Sequence, residues 1–428
     1  MPKPRFAPLP SHCLVDESLH IRLEGLSAGD RVTMRLANKA VGDALWAASA
    51  AFVAEQEDLD LTRHAPVSGS YAGVDGMGLF WSRELTPRSA WPIAPDVADD
   101  PLTATLTAAV NDSPPRLTHR IRRRFTSVDV TSHEVRDDGL VAQLFLPTAE
   151  GRRPGVIVLG GSTGGLQWAF EVAGLLASHG FAALALAYFG MEPLPPTLDR
   201  IPLGYFEKAL RWFQSHPGVS HDQVGVCGVS RGAELALLLA ATYGDIKAVV
   251  AYVPSGVVWC GVPQIGHSAW SLQGKEVAFA SGPSAAEWEA ALAEGRARDD
   301  LDWYRLALAD ESAIGAAEIA VEKIQGPLLL LSGEDDRLWP STQLAERVVR
   351  RCREKNFAHA SIHVAYPGAG HDLRWPHAVA TVTRFTHPVT GEMLDLGGTP
   401  QATARARLDA WQRTLAFLKE HLRLGSRA

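Results

Sequence analysis

The chain has 428 residues, is 46% hydrophobic and 21% charged, and carries a formal net charge of −7. That length exceeds one ordinary hydrophobic core, so two domains are expected. The mildly acidic balance, 48 Asp and Glu against 41 Lys and Arg, argues against a nucleic-acid-binding protein, which would usually carry a basic stripe.

The N-terminal segment "MPKPRFAPLPSHCLVDESLH" has no continuous apolar h-region of the signal-peptide kind. Among the longest apolar runs is "FAALALAYF" (181–189), about half of what a membrane span requires. Cys13, Cys227, Cys260 and Cys352 are scattered and form no C-x-x-C pair, so neither a disulfide framework nor a zinc site is expected. Reduced thiols in a cytoplasmic protein are the simplest account.

Up to about residue 146 the apolar pattern is short and alternating. "LHIRLEG" (19–25), "RVTMRLA" (31–37), "RIRRRFTSVDVTSHEV" (120–135) and "LVAQLFLP" (140–147) read as half-buried strands. Strands at this spacing predict an immunoglobulin-like β-sandwich over 1–146. "VGDALWAASAAFVAEQ" (41–56) departs from the pattern: it looks helical, and reads equally as two strands with alanine-rich faces. The basic run Arg120–Arg124 falls in an alternating segment and reads as a solvated strand face.

The rhythm changes after "TAEGRRPG" (148–155), a polar stretch fit for a linker. From 147 to the end strands and helices alternate. "VIVLGG" (156–161), "FAALALAYF", "VGVCGV" (224–229), "IKAVVAYVP" (246–254), "PLLLLSGE" (327–334) and "ASIHVAYP" (360–367) are strands apolar on both faces. With helices between them they predict an α/β fold, a mostly parallel sheet covered on both sides. Residues 255–326 interrupt the alternation as an insertion over the carboxyl edge of that sheet, either a lid or mere decoration.

The stretch "GVCGVSRGAELALLLA" (225–240) places Ser230 between Gly228 and Gly232, at the turn from a buried strand into a helix. This is the setting of a nucleophile elbow, where glycines relieve crowding at a sharp turn. The alternative is a serine that only caps the helix. A serine nucleophile needs a base, and the base an orienting acid. Downstream, Glu334, Asp335 and Asp336 follow one strand and His371 follows the next, in the chain order Ser, acid, His. All lie at the same sheet edge as the elbow, and position alone leaves Asp335 and Asp336 unseparated. His363 reads as a strand residue, while His267, His377 and His387 have no assigned role. Oxyanion donors are expected from the backbone N–H of Arg231 and of Gly161, Ser162 or Thr163 in the loop "LGGSTGGLQW" (159–168). That loop has neither the ending of a P-loop nor the G-x-G-x-x-G order. No residue cluster suggests a metal or an organic cofactor, so none is expected.

Together these stretches resemble the acyl-CoA thioesterase and bile acid-CoA:amino acid N-acyltransferase family, along nearly the whole chain. "DESLHIRLEGLSAGDRVTMRLA" and "SGSYAGVDGMGLFWS" (68–82) are similar to its N-terminal domain. "GVSRGAELALLLA", "GEDDRLW" and "YPGAGH" are similar to its catalytic half. The resemblance implies an α/β-hydrolase with the triad Ser230, Asp336 and His371, the family's spacing from the glycine selecting Asp336 over Asp335. It implies an acyl-CoA substrate and an acyl-serine intermediate, with no cofactor.

Within the family a serine nucleophile goes with thioesterases, and the bile-acid conjugating enzyme carries cysteine there. Ser230 therefore implies transfer to water. The rivals are acyl transfer to an amine or alcohol, and a carboxylesterase of the dienelactone-hydrolase type sharing the core and triad. Two departures stand out. The chain ends "LGSRA" where some animal members carry a peroxisomal signal. It also has Arg231 where animal members commonly have lysine, a side chain that either faces a CoA phosphate or acyl carboxylate or fans into solvent. Neither the acyl chain nor the oligomeric state is written in these motifs.

Overall fold

The computed structural model describes residues 3–90, 97–111 and 113–423. The chain divides into two compact units: Met1–Phe125 with Arg374–Val382 and Thr399–Leu408, and Thr126–Leu373 with Thr383–Gly398 and Asp409–Ala428.

The first unit is a β-sandwich. A seven-stranded sheet is built around Arg31–Lys39, Ala44–Val53 and Thr103–Val110, and a three-stranded sheet joins Arg5–Phe6, Arg22–Glu24 and Asp58–Asp60. Leu23 and Leu59 of the smaller sheet, with the adjoining Ile21, share one core with Val32, Met34, Phe52 and Leu106 of the larger. The helical-looking stretch is a single strand, Ala44–Val53, paired with Arg31–Lys39 over nine residues. Its alanines favour a helix, but the pleated, half-buried surface overrides that preference. The basic run behaves as expected at Arg120 and Arg122, which are exposed. Arg123 instead turns inward, over the Phe80 ring at 4.9 Å, and donates to the carbonyl of Val15 at 2.5 Å.

The second unit holds an eight-stranded sheet. Its spatial order is Val130–Val135, Val141–Pro147, Ala182–Ala187, Arg153–Leu159, Val219–Val229, Ile246–Tyr252, Leu328–Gly333 and Ser361–Tyr366. Val141–Pro147 pairs antiparallel with both neighbours, and the remaining pairs are parallel. The division expected at 146/147 therefore moves upstream to 125/126. The two strands at 130–147 alternate as sandwich strands do, but they form the antiparallel edge of an otherwise parallel sheet. The inner strands are mostly buried, and Ala182–Ala187 and Leu328–Gly333 are buried throughout, with helices such as Gln167–Ser178, Leu203–Ser215 and Arg231–Thr242 between them in sequence.

This order contains a switch point. The chain passes from Arg153–Leu159 to a neighbour on one side, then returns to Val219–Val229 on the other. Two loops leave the carboxyl ends of these adjacent strands there, at the position where α/β folds bind ligands. Those loops are the glycine-rich segment at 160–166 and the turn at Ser230. Among the described residues, no helix is long and apolar enough to cross a membrane.

Candidate active site

Ser230 stands where the strand Val219–Val229 turns into the helix Arg231–Thr242, with φ 55° and ψ −122°. A non-glycine residue rarely adopts that conformation, and such strain persists only where surrounding structure enforces it. The Ser230 amide donates to the carbonyl of Tyr252 at 2.9 Å, and its own carbonyl accepts from Ala233 at 2.9 Å. The hydroxyl makes no capping bond to the helix, so the capping alternative does not describe it. Arg231 is the first helical residue, and its N–H has no acceptor within the helix.

The flanking glycines are required by contact. A Cβ at Gly228 would run into the backbone of Gly232, and one at Gly232 into the carbonyl oxygens of Gly160 and Leu159. The elbow and the 160–166 loop are thus packed backbone against backbone. Gly232→Ala is expected to cost about 1–3 kcal/mol through that clash, and to lower kcat by displacing the loop. A urea midpoint measured beside kcat checks both effects.

Gly161 lies against Ser230: a Cβ there would be 3.3 Å from Ser230 Cβ. Ser162 follows, half-buried, and Thr163 is exposed. Tyr188 donates to the carbonyl of Gly160 at 2.5 Å and so helps to hold the loop.

Asp336 and His371 lie past the two strands beyond. Asp336, its side chain 1% exposed, accepts from the amides of Leu338 and Trp339 through Oδ1 and from His371 Nδ1 at 2.8 Å through Oδ2. Asp335 turns away to pair with Arg337 at 3.2 Å, and Glu334 is exposed. The geometry thus distinguishes the carboxylates that position alone could not. Because Nδ1 carries the proton shared with Asp336, Nε2 of His371 is left with a lone pair, which can accept a proton. The His371 ring packs edge-on against Trp339, with centroids 5.9 Å apart, and its amide donates to Leu396 at 2.7 Å.

The 255–326 insertion is anchored on this framework. Its helix Asp300–Leu308 brings Tyr304 edge-on to Trp339, 5.7 Å between centroids, and Trp259 packs on Tyr304 at 4.8 Å. Glu311 and Glu318 of the insertion grip Arg347 on the helix Ser341–Glu354.

Arg231 does not behave as expected. Its side chain neither faces an open site nor fans into solvent; it is 3% exposed and donates to the carbonyls of Trp259 and Cys260 at 3.1 and 2.9 Å. Its Nε lies 3.3 Å from the fully buried carboxylate of Glu234, close enough for an ion pair though not aligned as a hydrogen bond. Glu234 Oε1 also accepts from the Trp270 indole at 2.6 Å. Burial pushes the Glu234 carboxyl up to about 7, against the pull of the guanidinium. The pair ties the elbow helix to the first segment of the insertion.

The other histidines separate clearly. His363 Nε2 meets Ser332 at 2.8 Å within the sheet, half-buried His267 pairs with Glu276, and His377 belongs to the first unit, against Ser18. His387 is different, because its ring meets Ser162 in the glycine-rich loop. Nothing in its local sequence marked it, since the contact joins residues 225 apart.

Comparison with known proteins agrees with this architecture. The profile for the C-terminal region of BAAT/acyl-CoA thioester hydrolases matches residues 201–424, and that for the N-terminal region of the same proteins matches 16–137. Acyl-coenzyme A thioesterase 6 of Mus musculus is 34% identical over 416 residues, covering 95% of this chain and 94% of that protein. The peroxisomal succinyl-coenzyme A thioesterase of the same species is 31% identical, with coverage of 95% and 94%. Its acyl-coenzyme A amino acid N-acyltransferase 1 is 32% identical, with coverage of 96% of each chain. With both regions matched and relatives aligned along nearly its full length, the chain belongs to the acyl-CoA thioesterase and bile acid-CoA:amino acid N-acyltransferase family.

Proposed function

We propose that this protein is an acyl-CoA thioesterase that works through an acyl-serine intermediate. The observation that carries the reading is the uncapped hydroxyl of Ser230 in its strained turn, at the same sheet edge as a histidine already held by a buried carboxylate. His371 takes the proton from Ser230 Oγ as that oxygen attacks the thioester carbonyl. The tetrahedral oxyanion is met by the N–H of Arg231 and by an N–H of Gly161, Ser162 or Thr163. The C–S bond then breaks, and His371 returns its proton to the departing CoA thiolate. Next His371 deprotonates a water, which attacks the acyl-serine, and Ser230 recovers its proton as the free acid leaves. Asp336 keeps the proton on Nδ1 of His371 and stabilises the imidazolium.

Hydrolysis is preferred over transfer because the nucleophile is serine, although an amino acid N-acyltransferase stands among the relatives at 32% identity. A cytoplasmic location is supported by four cysteines that are all buried and unpaired, as a reducing compartment permits. The test is release of free CoA thiol from short, long, branched and aromatic acyl-CoAs, with and without glycine or taurine. Release that does not depend on the amine is expected. Release only with the amine would make the protein an acyltransferase, and turnover of simple esters alone would make it a carboxylesterase.

A further inference from the structure

We infer that His387 is a positioning residue for the oxyanion loop, acting through the hydroxyl of Ser162. The inference rests on reading Ser230 as the nucleophile. The loop "GGSTGG" has four glycines among its six residues, and Gly164 and Gly165 adopt φ of +68° and +69°. Such a segment loses much conformational freedom when it orders, so N–H groups aimed at an oxyanion need fixed anchors. Tyr188 holds the loop at Gly160, and the Gly165 amide reaches Phe189 at 3.0 Å. Between those points the side-chain anchor is Ser162 Oγ, 3.0 Å from His387 Nε2.

The direction of that bond follows from the other ring nitrogen. His387 Nδ1 faces the backbone N–H groups of Val389 and Thr390, each at 3.3 Å, and must accept. The proton therefore sits on Nε2 and is donated to Ser162. The residue is 2% exposed, and burial holds the ring below its usual pKa against the pull of Glu392, which keeps it neutral.

The element that carries His387 reaches the rest of the site as well. Arg384–Thr386 and Met393–Asp395 form an antiparallel hairpin with His387 at its turn. Just beyond the hairpin, the Leu396 carbonyl accepts the amide of His371, Gly397 bridges Asp336, and the Gly398 amide donates to Asp335. One hairpin therefore meets the acid loop and the base loop at its open end and the oxyanion loop at its turn.

The test uses the full chain and the second-order rate at which a fluorophosphonate labels Ser230, because phosphonylation draws on the same hole without a thioester. His387→Phe and Ser162→Ala should each slow labelling about 10- to 100-fold, the scale of a catalytic group misplaced by about an ångström. The double variant should be no slower than the worse single one, since both remove one contact. His387→Gln, which keeps a donor near Nε2, should recover most of the rate. Full-rate labelling of both single variants would overturn the inference. So would multiplicative losses, or a Gln variant as slow as the Phe variant, because each points to a general packing role. Should the wild type label while releasing no CoA, the thioesterase reading falls and the positioning role stands. A wild type that does not label removes both.

Discussion

Ser230→Ala is expected to lower kcat for acyl-CoA hydrolysis by roughly 10⁶-fold, the scale seen when a triad hydrolase loses its nucleophile, while leaving the melting temperature near that of the wild type. The fold should survive because the strain at this position lies in the backbone, and the hydroxyl makes no capping bond whose loss the helix would feel. Alanine keeps the Cβ that already fits between Gly161 and the helix start. Single-turnover assays with the preferred acyl-CoA, alongside thermal melts, separate chemistry from folding. Near-normal kcat in this variant would remove Ser230 from the mechanism, and with it the assignment of Asp336 and His371.

Glu234→Ala is expected to destabilise the protein by about 3–5 kcal/mol, as loss of one member of a buried ion pair does. It should cost more than Arg231→Met. The asymmetry comes from proton chemistry. With Glu234 gone, the guanidinium of Arg231 is left buried without its counter-charge, and it cannot neutralise itself by losing a proton. With Arg231 gone, Glu234 can take up a proton, a step its already raised pKa makes easy. What Arg231→Met loses is mainly the donors to the carbonyls of Trp259 and Cys260, about 1–3 kcal/mol. Urea midpoints for the two variants at neutral pH give the comparison. A larger loss in Arg231→Met would mean that the bonds to the 259–260 backbone, not charge balance, dominate the pair.

The parts of this protein legible in its sequence are those set by short-range rules. Two glycines around a serine, a carboxylate after one apolar strand and a histidine after the next are local signals. Each strand carries its last residue to a common edge, so local signals place Ser230, Asp336 and His371 at that edge, where Asp336 and His371 meet. The role of Arg231 was hidden because exposure is decided by what packs on the residue, and the 257–260 segment that covers it lies in the insertion. His387 was hidden for the same reason, its partner being 225 residues away. The strand at 44–53 was ambiguous because alanine tolerates either period. The boundary near 125 is not legible in the sequence because strands 130–135 and 141–147 alternate like sandwich strands, while pairing at the antiparallel edge of the larger sheet.

The division of the chain also bears on how the protein emerges from the ribosome. Ala380 and Ala404 belong to the hydrophobic core of the first unit, and Trp375 packs edge-on against Phe125 at 5.1 Å. The Ala380 amide donates to Trp81, and Gln401 donates to Ala72. The domain that begins first at the N-terminus is therefore completed only when nearly the whole polypeptide has been made. N-terminal domains usually fold as they are synthesised; here the nascent sandwich must wait, its core unfinished, through more than half of translation. A release from the ribosome short of residue 374 leaves it without two segments of its own wall, and one between 383 and 398 leaves it without the second.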